Sequence, residues 1–414
     1  MTAQLSEAPS DASRKLPWWP LLVLSAAAFA TVTVELLPAS LLLGLSDDLD
    51  VTESTAGLLV TAWALTIAVA SVPLTRLTAR VPRRHLVPFL LLLLALATAG
   101  TALAPSYGWA LTSRMVAAST HGVFWSLLVP TVATLVPSAV LGRAVSVVLA
   151  GPALAGIIGI PLGAAIGEGV GWRASFALLA GLLVAASLAV RSLPLQDSPI
   201  PVARQGGRDP ATRAVLAVAF AGGLVLTGHF MLYTYIAPLL QQFGGYAAAA
   251  RTALLLVFGL AGLIGIAVSG PLSDRFPRQA LGWVSAAFAG SAASLALLDV
   301  NLVMAIIVIA LWGVLIGLLP PVLQTRLLRI ASPGREAAAG AVGIAVLNIG
   351  IAAGAAFGGF TVDIWNAGAL PIVAAAVITV AAVGLLGIGA RRDRRSEAAL
   401  TDQPAARAQD GVDE

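Results

Sequence analysis

Three polar residues stand at helical spacing inside one apolar stretch of the sequence, "LTSRMVAASTHGVFWS" at 111–126. Arg114, His121 and Trp125 are seven and four residues apart, so on a helix they lie along one face. An arginine inside an apolar span is costly, and such residues usually face the interior of a helix bundle and pair with a partner. We expect a buried partner for Arg114 and a substrate or proton role for His121; a core histidine held by a neighbour is the alternative.

The acid that matches this cation is Glu35, the one carboxylate deep inside an apolar segment. It is the best candidate partner for Arg114. Burial opposes the charged form of a carboxylate and a nearby cation favours it, so a group under both influences can load and release a proton. The pair predicts proton coupling at Glu35 and Arg114. The alternative is a permanent ion pair that only holds two helices together.

A second set of polar and aromatic side chains lies later in the chain. The stretch "TGHFMLYTYIAPLLQQ" at 227–242 places His229 and Tyr233 one helical turn apart, and "VLNIGIAAGAAFGG" contains Asn348 near the middle of an apolar segment. Such groups suit a hydroxylated or amphipathic small solute. We predict a substrate cavity lined by His121, Trp125, His229, Tyr233 and Asn348.

The elements that position these residues are membrane helices. Of 414 residues, 58% are hydrophobic and 11% charged, which is too apolar for soluble domains. A spanning helix needs about 20 mostly apolar residues, and the first apolar stretch is too long for a cleaved signal peptide. We predict an all-α integral membrane fold, without the short alternating segments of a β-barrel. Twelve helices are expected at 18–45, 54–76, 85–105, 108–136, 143–168, 173–193, 213–240, 249–272, 281–299, 302–325, 338–362 and 368–390.

The basic residues predict the orientation. Nearly all of the 24 lysines and arginines fall in tails and loops on one side, whereas the loop "SDDLDVTE" at 46–53 is acidic. Because basic loops face the cytoplasm, we predict cytoplasmic tails at 1–17 and 391–414 and a cytoplasmic linker at 194–212. Arginine far outnumbers lysine, which is typical of a GC-rich bacterial genome and favours a bacterial inner membrane.

Two short basic turns reveal an internal repeat. "SGPLSDRFPRQAL" at 269–281 matches "TRLTARVPRRHL" at 75–86, 195 residues earlier. The repeat predicts two six-helix halves, 18–193 and 213–390, which is typical of transporters with a site near the membrane midplane. It also sets His229 opposite Val34, so we expect His229 and Glu35 to face one cavity. The matched turn residues are Arg80 with Arg275, Arg83 with Arg278, and Ala79 with Asp274.

The fifth segment carries small residues at spacings of four. "GIPLGAAIG" at 159–167 contains Gly159, Pro161 and Gly163. Small residues allow helices to approach closely, and proline interrupts the helical hydrogen bonds and should bend the helix. Tight packing alone is the simpler interpretation of such a stripe.

These patterns resemble the major facilitator superfamily, in its proton-driven drug and sugar efflux group, and most closely the bacterial sugar-efflux permeases. The second turn, with Gly270, Leu272, Asp274 and Arg275, resembles the signature loop between helices 2 and 3. The first copy departs from it, because Ala79 replaces the acid. The resemblance implies gating loops at Arg80, Arg83, Asp274, Arg275 and Arg278, with a first loop that relies on arginines; topological anchoring is the alternative.

Three helical motifs extend the resemblance over residues 18–390. The run from Arg114 to Gly122 resembles the helix-4 arginine motif linked to proton transfer. The sequence "HGVFWS" is similar to the form of this segment in the sugar-efflux permeases. "GIPLG" resembles the helix-5 motif of antiporters, which implies export. Glu35 ahead of Leu-Leu-Pro is typical of the group, whereas Ala237 stands where relatives often have an acid.

We therefore predict a proton-driven exporter of sugars or sugar-like solutes, with amphipathic drugs as the second choice. A multidrug or cation exporter and a proton-coupled uptake symporter remain open. A phosphate-binding loop for ATP is excluded, because the single lysine is Lys15. The three histidines lie on separate segments without metal or nucleophile spacing, so we expect no enzyme, metal or cofactor. The expected partners are the solute, protons and lipid, with no nucleic acid, and a monomer suffices.

Overall fold

The computed structural model describes residues 16–137, 140–195, 211–332 and 335–387. Most of the predicted tails and linker lie outside these residues. The described chain is α-helical without strands, and it contains twelve helices long and apolar enough to cross a membrane, which confirms the predicted fold class. They are α1 Trp18–Ser40, α2 Glu53–Thr78, α3 Arg83–Ala102, α4 Tyr107–Leu135, α5 Leu141–Val170, α6 Trp172–Arg191, α7 Thr212–Thr234, α8 Ala249–Arg275, α9 Ala280–Leu297, α10 Leu302–Ile330, α11 Ala338–Ile364 and α12 Ala367–Gly387.

Two of the helices that the sequence predicts as continuous segments are interrupted. The segment predicted at 18–45 ends at Ser40, and a short helix, Leu42–Asp48, follows. The segment predicted at 213–240 ends at Thr234, with a second helix at Ile236–Gly244. Each break has a proline three residues away, Pro38 or Pro238, which removes one helical donor.

The chain divides into two compact units. The first contains residues 1–205 together with 233–241 and 245–259, and the second contains 206–232, 242–244 and 260–414. The division at 194–212 into six-helix halves stays a prediction.

In the first unit, the small residues of α5 lie against α1. A Cβ atom added at Gly159 would collide with Thr33, and one at Gly163 would approach Leu37 Cδ1 within 2.5 Å. These contacts are one turn apart on both helices, so only small residues allow this approach. Between Pro152 and Pro161 the helix widens into a π-helical segment, Ala155–Gly159, a feature that often marks functional positions.

The second unit repeats this packing with α11 against α7. A Cβ atom at Gly350 would lie 2.7 Å from Leu226 Cβ, and one at Gly354 would lie 2.6 Å from Phe230 Cβ. Gly354 is 195 residues after Gly159, so the repeat that the sequence predicts extends to the contacts of these helices.

Candidate functional site

The side chain of Arg114 on α4 binds the backbone of α1. Its Nη1 donates to the carbonyl of Val34 and its Nη2 to the carbonyl of Glu35, both at 3.1 Å. The Val34 carbonyl would accept from residue 38 in a regular helix, but Pro38 has no N–H. The proline therefore leaves an acceptor for the guanidinium, whose planar fork suits two neighbouring oxygens.

Arg114 is deeply buried, with 1% of its surface exposed. Its guanidinium carbon lies 4.4 Å from the centre of the Trp63 ring of α2, a cation–π arrangement. Trp63 was not predicted as a site residue, because a single tryptophan in an apolar span belongs to no pattern. Its one signal was an indole N–H, which needs an acceptor when it is buried.

The Glu35 carboxylate faces His121 instead of the guanidinium. Oε2 of Glu35 is 3.3 Å from Nε2 of His121. Hydrogen bonds therefore join Arg114 to the backbone of Glu35, and proton coupling by Glu35 and Arg114 stays a prediction. The arginine uses the Val34 carbonyl, which Pro38 leaves without a helical donor, together with the Glu35 carbonyl, while the carboxylate contacts the imidazole.

His121 lies between two indole rings. Its ring centre is 5.3 Å from that of Trp63, edge to face, and 6.0 Å from that of Trp125. The structure thus brings together Glu35 with Arg114, His121 and Trp125, for which the spacing predicted a shared face, and adds Trp63. They form the α1–α2–α4 cluster, defined by these five residues.

The second buried histidine has a different environment. Nε1 of Trp312 donates to Nδ1 of His229 at 3.1 Å. An indole nitrogen can only donate, so Nδ1 must be the acceptor and the imidazole is neutral with its proton on Nε2. The rings of Phe230 and Phe288 lie 4.7 and 5.7 Å from the His229 ring.

The remaining predicted cavity residues are distributed over both units. Tyr233 is buried in the first unit, with its ring 5.6 Å from that of Phe258. Asn348 is in the second unit and donates to the carbonyl of Ile344 on its own helix at 3.0 Å. A common cavity for His229 and Glu35 stays a prediction.

The second basic turn is bound to the end of α10. Arg329 donates to the Asp274 carboxylate and to the Ser273 carbonyl, each at 2.5 Å. Ser273 is four residues before Pro277, so its carbonyl also lacks a helical donor. Arg326 donates to the carbonyl of Pro277 at 3.2 Å. The sequence analysis named Asp274 but neither arginine of α10.

The first turn is also bound to a helix end, but here the turn supplies the donor and the helix supplies the acceptor. Arg83 is buried and donates to the carbonyl of Pro130, near the end of α4, at 3.2 Å. Arg80 is exposed. Arg83 therefore has a packing role within the first unit, and its predicted gating role remains a prediction, as do those of Arg275 and Arg278.

Two further ion pairs lie at the helix ends that are opposite to the basic turns. Arg251 of α8 donates twice to one carboxylate oxygen of Glu168 of α5, at 2.8 and 3.0 Å. Arg173 pairs with Asp48, which also accepts from the indole of Trp172 at 2.9 Å. On the predicted orientation, these ends face away from the cytoplasm.

Comparison with known proteins identifies the family. The sequence profile of the Major Facilitator Superfamily matches residues 21–344 and 218–409. The chain belongs to this superfamily. The predicted family is thus confirmed, and the chain is a multi-pass membrane protein of a transporter family.

Curated relatives within the superfamily include efflux pumps. A chloramphenicol efflux pump of Mycobacterium tuberculosis (strain CDC 1551 / Oshkosh) is 31% identical over 398 residues, covering 92% of this chain and 93% of the pump. A chloramphenicol efflux pump of strain ATCC 25618 / H37Rv is 30% identical with the same coverage. Both support membership of the efflux group, and the sugar-efflux subgroup stays a prediction.

Solved structures share the superfamily fold. A bacterial homologue of the human lysosomal transporter Spinster, inward-facing and unoccupied, has a TM-score of 0.72 and 17% identity, covering 92% of this chain and 96% of that chain. A D-xylose–proton symporter has a TM-score of 0.72 and 15% identity, covering 89% and 97%. At these identities the likeness extends to the fold alone.

Proposed function

We propose that this protein is a proton-driven exporter that moves small neutral solutes by alternating access, with Glu35 and His121 carrying the proton. The observation that carries the proposal is the 3.3 Å contact between the Glu35 carboxylate and the His121 imidazole. The efflux relatives support export, as does the resemblance of the helix-5 motif to that of antiporters.

The geometry favours coupling over a permanent ion pair. Arg114 uses two backbone carbonyls as hydrogen-bond acceptors, so the carboxylate oxygens stay available to His121. An imidazole in contact with a carboxylate can exchange a proton with it. Arg114, Glu35 and His121 are the ionisable groups of the cluster, and its two tryptophans stay neutral.

The solute we propose first is a chloramphenicol-like compound, because both curated efflux relatives are named for that drug. A sugar is the second candidate, because "HGVFWS" at 121–126 resembles the sugar-efflux motif. If the single carboxylate of the site binds the proton, no acid is left to pair with a cationic solute. Such a site suits neutral solutes of either kind.

We further propose a bacterial inner membrane location with both termini in the cytoplasm. The support is the distribution of basic residues, since basic loops face the cytoplasm. On this orientation, Glu168 and Arg251 lie at the outer side.

Transport in proteoliposomes tests the proposal. An imposed proton gradient should drive chloramphenicol uptake by wild type reconstituted with its cytoplasmic side outward. Glu35→Gln should lose the gradient-driven component and retain chloramphenicol exchange at zero gradient, because exchange needs no net proton transfer. Glu336→Gln, at an exposed carboxylate, is the matched control and should behave as wild type.

Two results would contradict this function. Gradient-driven uptake that persists in Glu35→Gln would exclude Glu35 as the coupling residue. Failure of a proton gradient to drive either chloramphenicol or arabinose in wild type would exclude the function itself.

A further inference from the structure

Four buried polar atoms meet in the α1–α2–α4 cluster without a hydrogen-bond partner among the residues that the structure describes. They are Trp63 Nε1, Arg114 Nε, His121 Nδ1 and Trp125 Nε1. Buried polar groups are nearly always paired, so an unpaired group needs an explanation. One of these atoms belongs to His121 and the other three to residues of the same cluster, which indicates a site that a further molecule completes.

The chemistry of these atoms restricts what that molecule can be. Indole and guanidinium nitrogens donate and cannot accept, and an imidazole nitrogen can do either. At least three of the four atoms therefore need an acceptor. The Glu35 carboxylate contacts Nε2 of His121 and accepts from none of these indole and guanidinium nitrogens.

The rings of the same residues define the shape of the site. Trp63 and Trp125 lie on either side of His121, with ring centres 5.3 and 6.0 Å from it. Trp63 is almost fully buried, while Trp125 is partly exposed. A solute that enters beside Trp125 would thus meet aromatic faces together with N–H donors, and ligand sites typically combine these features.

We propose that Trp63 and Trp125 are substrate-recognition residues, and that they select neutral solutes with hydrogen-bond acceptor oxygens such as nitro, carbonyl or hydroxyl groups. This inference rests on the proposed function and names the substrate class of the same site. An organic cation without acceptor atoms satisfies none of the unpaired donors. The cation-exporter alternative is therefore disfavoured.

Binding to the purified full-length protein tests the inference with two probes. Chloramphenicol is neutral and rich in acceptor oxygens, whereas tetraphenylphosphonium is a cation without acceptors. Trp63→Phe and Trp125→Phe remove the N–H donor and keep an aromatic ring. Trp109→Phe is the control, because Trp109 donates to the Gly100 carbonyl at 2.9 Å and is exposed.

Each site variant should weaken chloramphenicol binding roughly three- to tenfold, as expected for one lost hydrogen bond. Any binding of tetraphenylphosphonium should change far less, so the ratio of the two dissociation constants falls. A purely structural role would change both constants together. Trp109→Phe should leave both unchanged.

Replacement of Trp63 by 3-benzothienylalanine separates loss of the N–H donor from a change in packing, because sulfur replaces the N–H in a ring of nearly the same shape. It should reproduce the loss seen with Trp63→Phe. Unchanged chloramphenicol affinity in the tryptophan variants would overturn the inference while leaving proton coupling intact, since the donors would then meet only water. Tighter wild-type binding of tetraphenylphosphonium than of chloramphenicol would also overturn it.

Absence of proton-driven transport by the wild-type protein would instead refute the proposed function. The two failures are distinguishable, because one concerns the relative affinities of two probes and the other the dependence of transport on the proton gradient.

Discussion

The two buried histidines of this protein show how differently the two units use the same residue. In the first unit, Nε2 of His121 faces a carboxylate at 3.3 Å. In the second, Nδ1 of His229 accepts from the indole of Trp312 at 3.1 Å, among aromatic rings. An imidazole that accepts from an indole cannot gain a proton there without losing that bond. This difference is the basis for proposing proton chemistry in the first unit, whereas His229 in the second unit accepts from Trp312.

The two basic turns differ in a related way. In the first unit the turn supplies the arginine, Arg83, and α4 supplies a carbonyl acceptor. In the second unit α10 supplies Arg326 and Arg329, and the turn supplies the acceptors. In both units a hydrogen bond joins the turn to a helix end. The donor lies on the turn in the first unit and on the helix in the second.

The largest expected effect separates the two histidines. His121→Asn should reduce gradient-driven transport roughly 100-fold or more, because a group that transfers a proton is lost. His229→Asn should keep proton coupling, because the amide oxygen can accept from Trp312 in place of Nδ1. The measurement is proton-driven uptake alongside exchange at zero gradient. Equal loss of coupling in both variants would refute the assignment.

Replacement of Arg114 by lysine should have the next largest effect. An ammonium keeps the charge but lacks the planar fork that binds the Val34 and Glu35 carbonyls. We expect a loss of about 1–3 kcal/mol in stability and slower transport. Thermal unfolding in detergent measures the first, and unchanged stability would show that the two hydrogen bonds contribute little.

Trp312→Phe tests the second unit alone. It removes the donor to His229 and should destabilise the protein by about 1–3 kcal/mol, the cost of leaving a buried acceptor unpaired. Proton release per solute should stay as in wild type, because the coupling residues are untouched. A changed stoichiometry, measured in weakly buffered solution, would make His229 part of the proton path.

The smallest effect is expected at the turns. Asp274→Ala removes an exposed ion pair worth about 0–1 kcal/mol, while Arg329 keeps its bond to the Ser273 carbonyl. The reverse change, Ala79→Asp, should give no stabilisation, because α4 has Thr131 and Thr134 where α10 has Arg326 and Arg329. Thermal unfolding of both variants checks this, and a clear gain in Ala79→Asp would contradict it.

Much of the fold could be predicted from the sequence, because apolar length alone determines which segments can span a bilayer. The helix interruptions at Leu41 and Tyr235 were missed, since a neighbouring proline can bend a helix or end it. The spacing of Arg114, His121 and Trp125 correctly predicted a shared face. One acceptor of Arg114, the Val34 carbonyl, could have been inferred from Pro38, which stands four residues after Val34.

Other parts of the site depend on tertiary packing and leave no local pattern. Asp274 meets Arg329, 55 residues further along the chain. His229 meets Trp312 across 83 residues. The role of a buried imidazole depends on which partner the fold supplies, and neither partner can be inferred from the residues next to it.

The most direct test of the central claim is proton release from the purified protein in weak buffer when chloramphenicol is added. Wild type should release protons as the solute binds, since solute and proton compete in an antiporter, and Glu35→Gln should release none while still binding the drug. Release that persists in Glu35→Gln would contradict the assignment of the coupling proton to the Glu35–His121 pair.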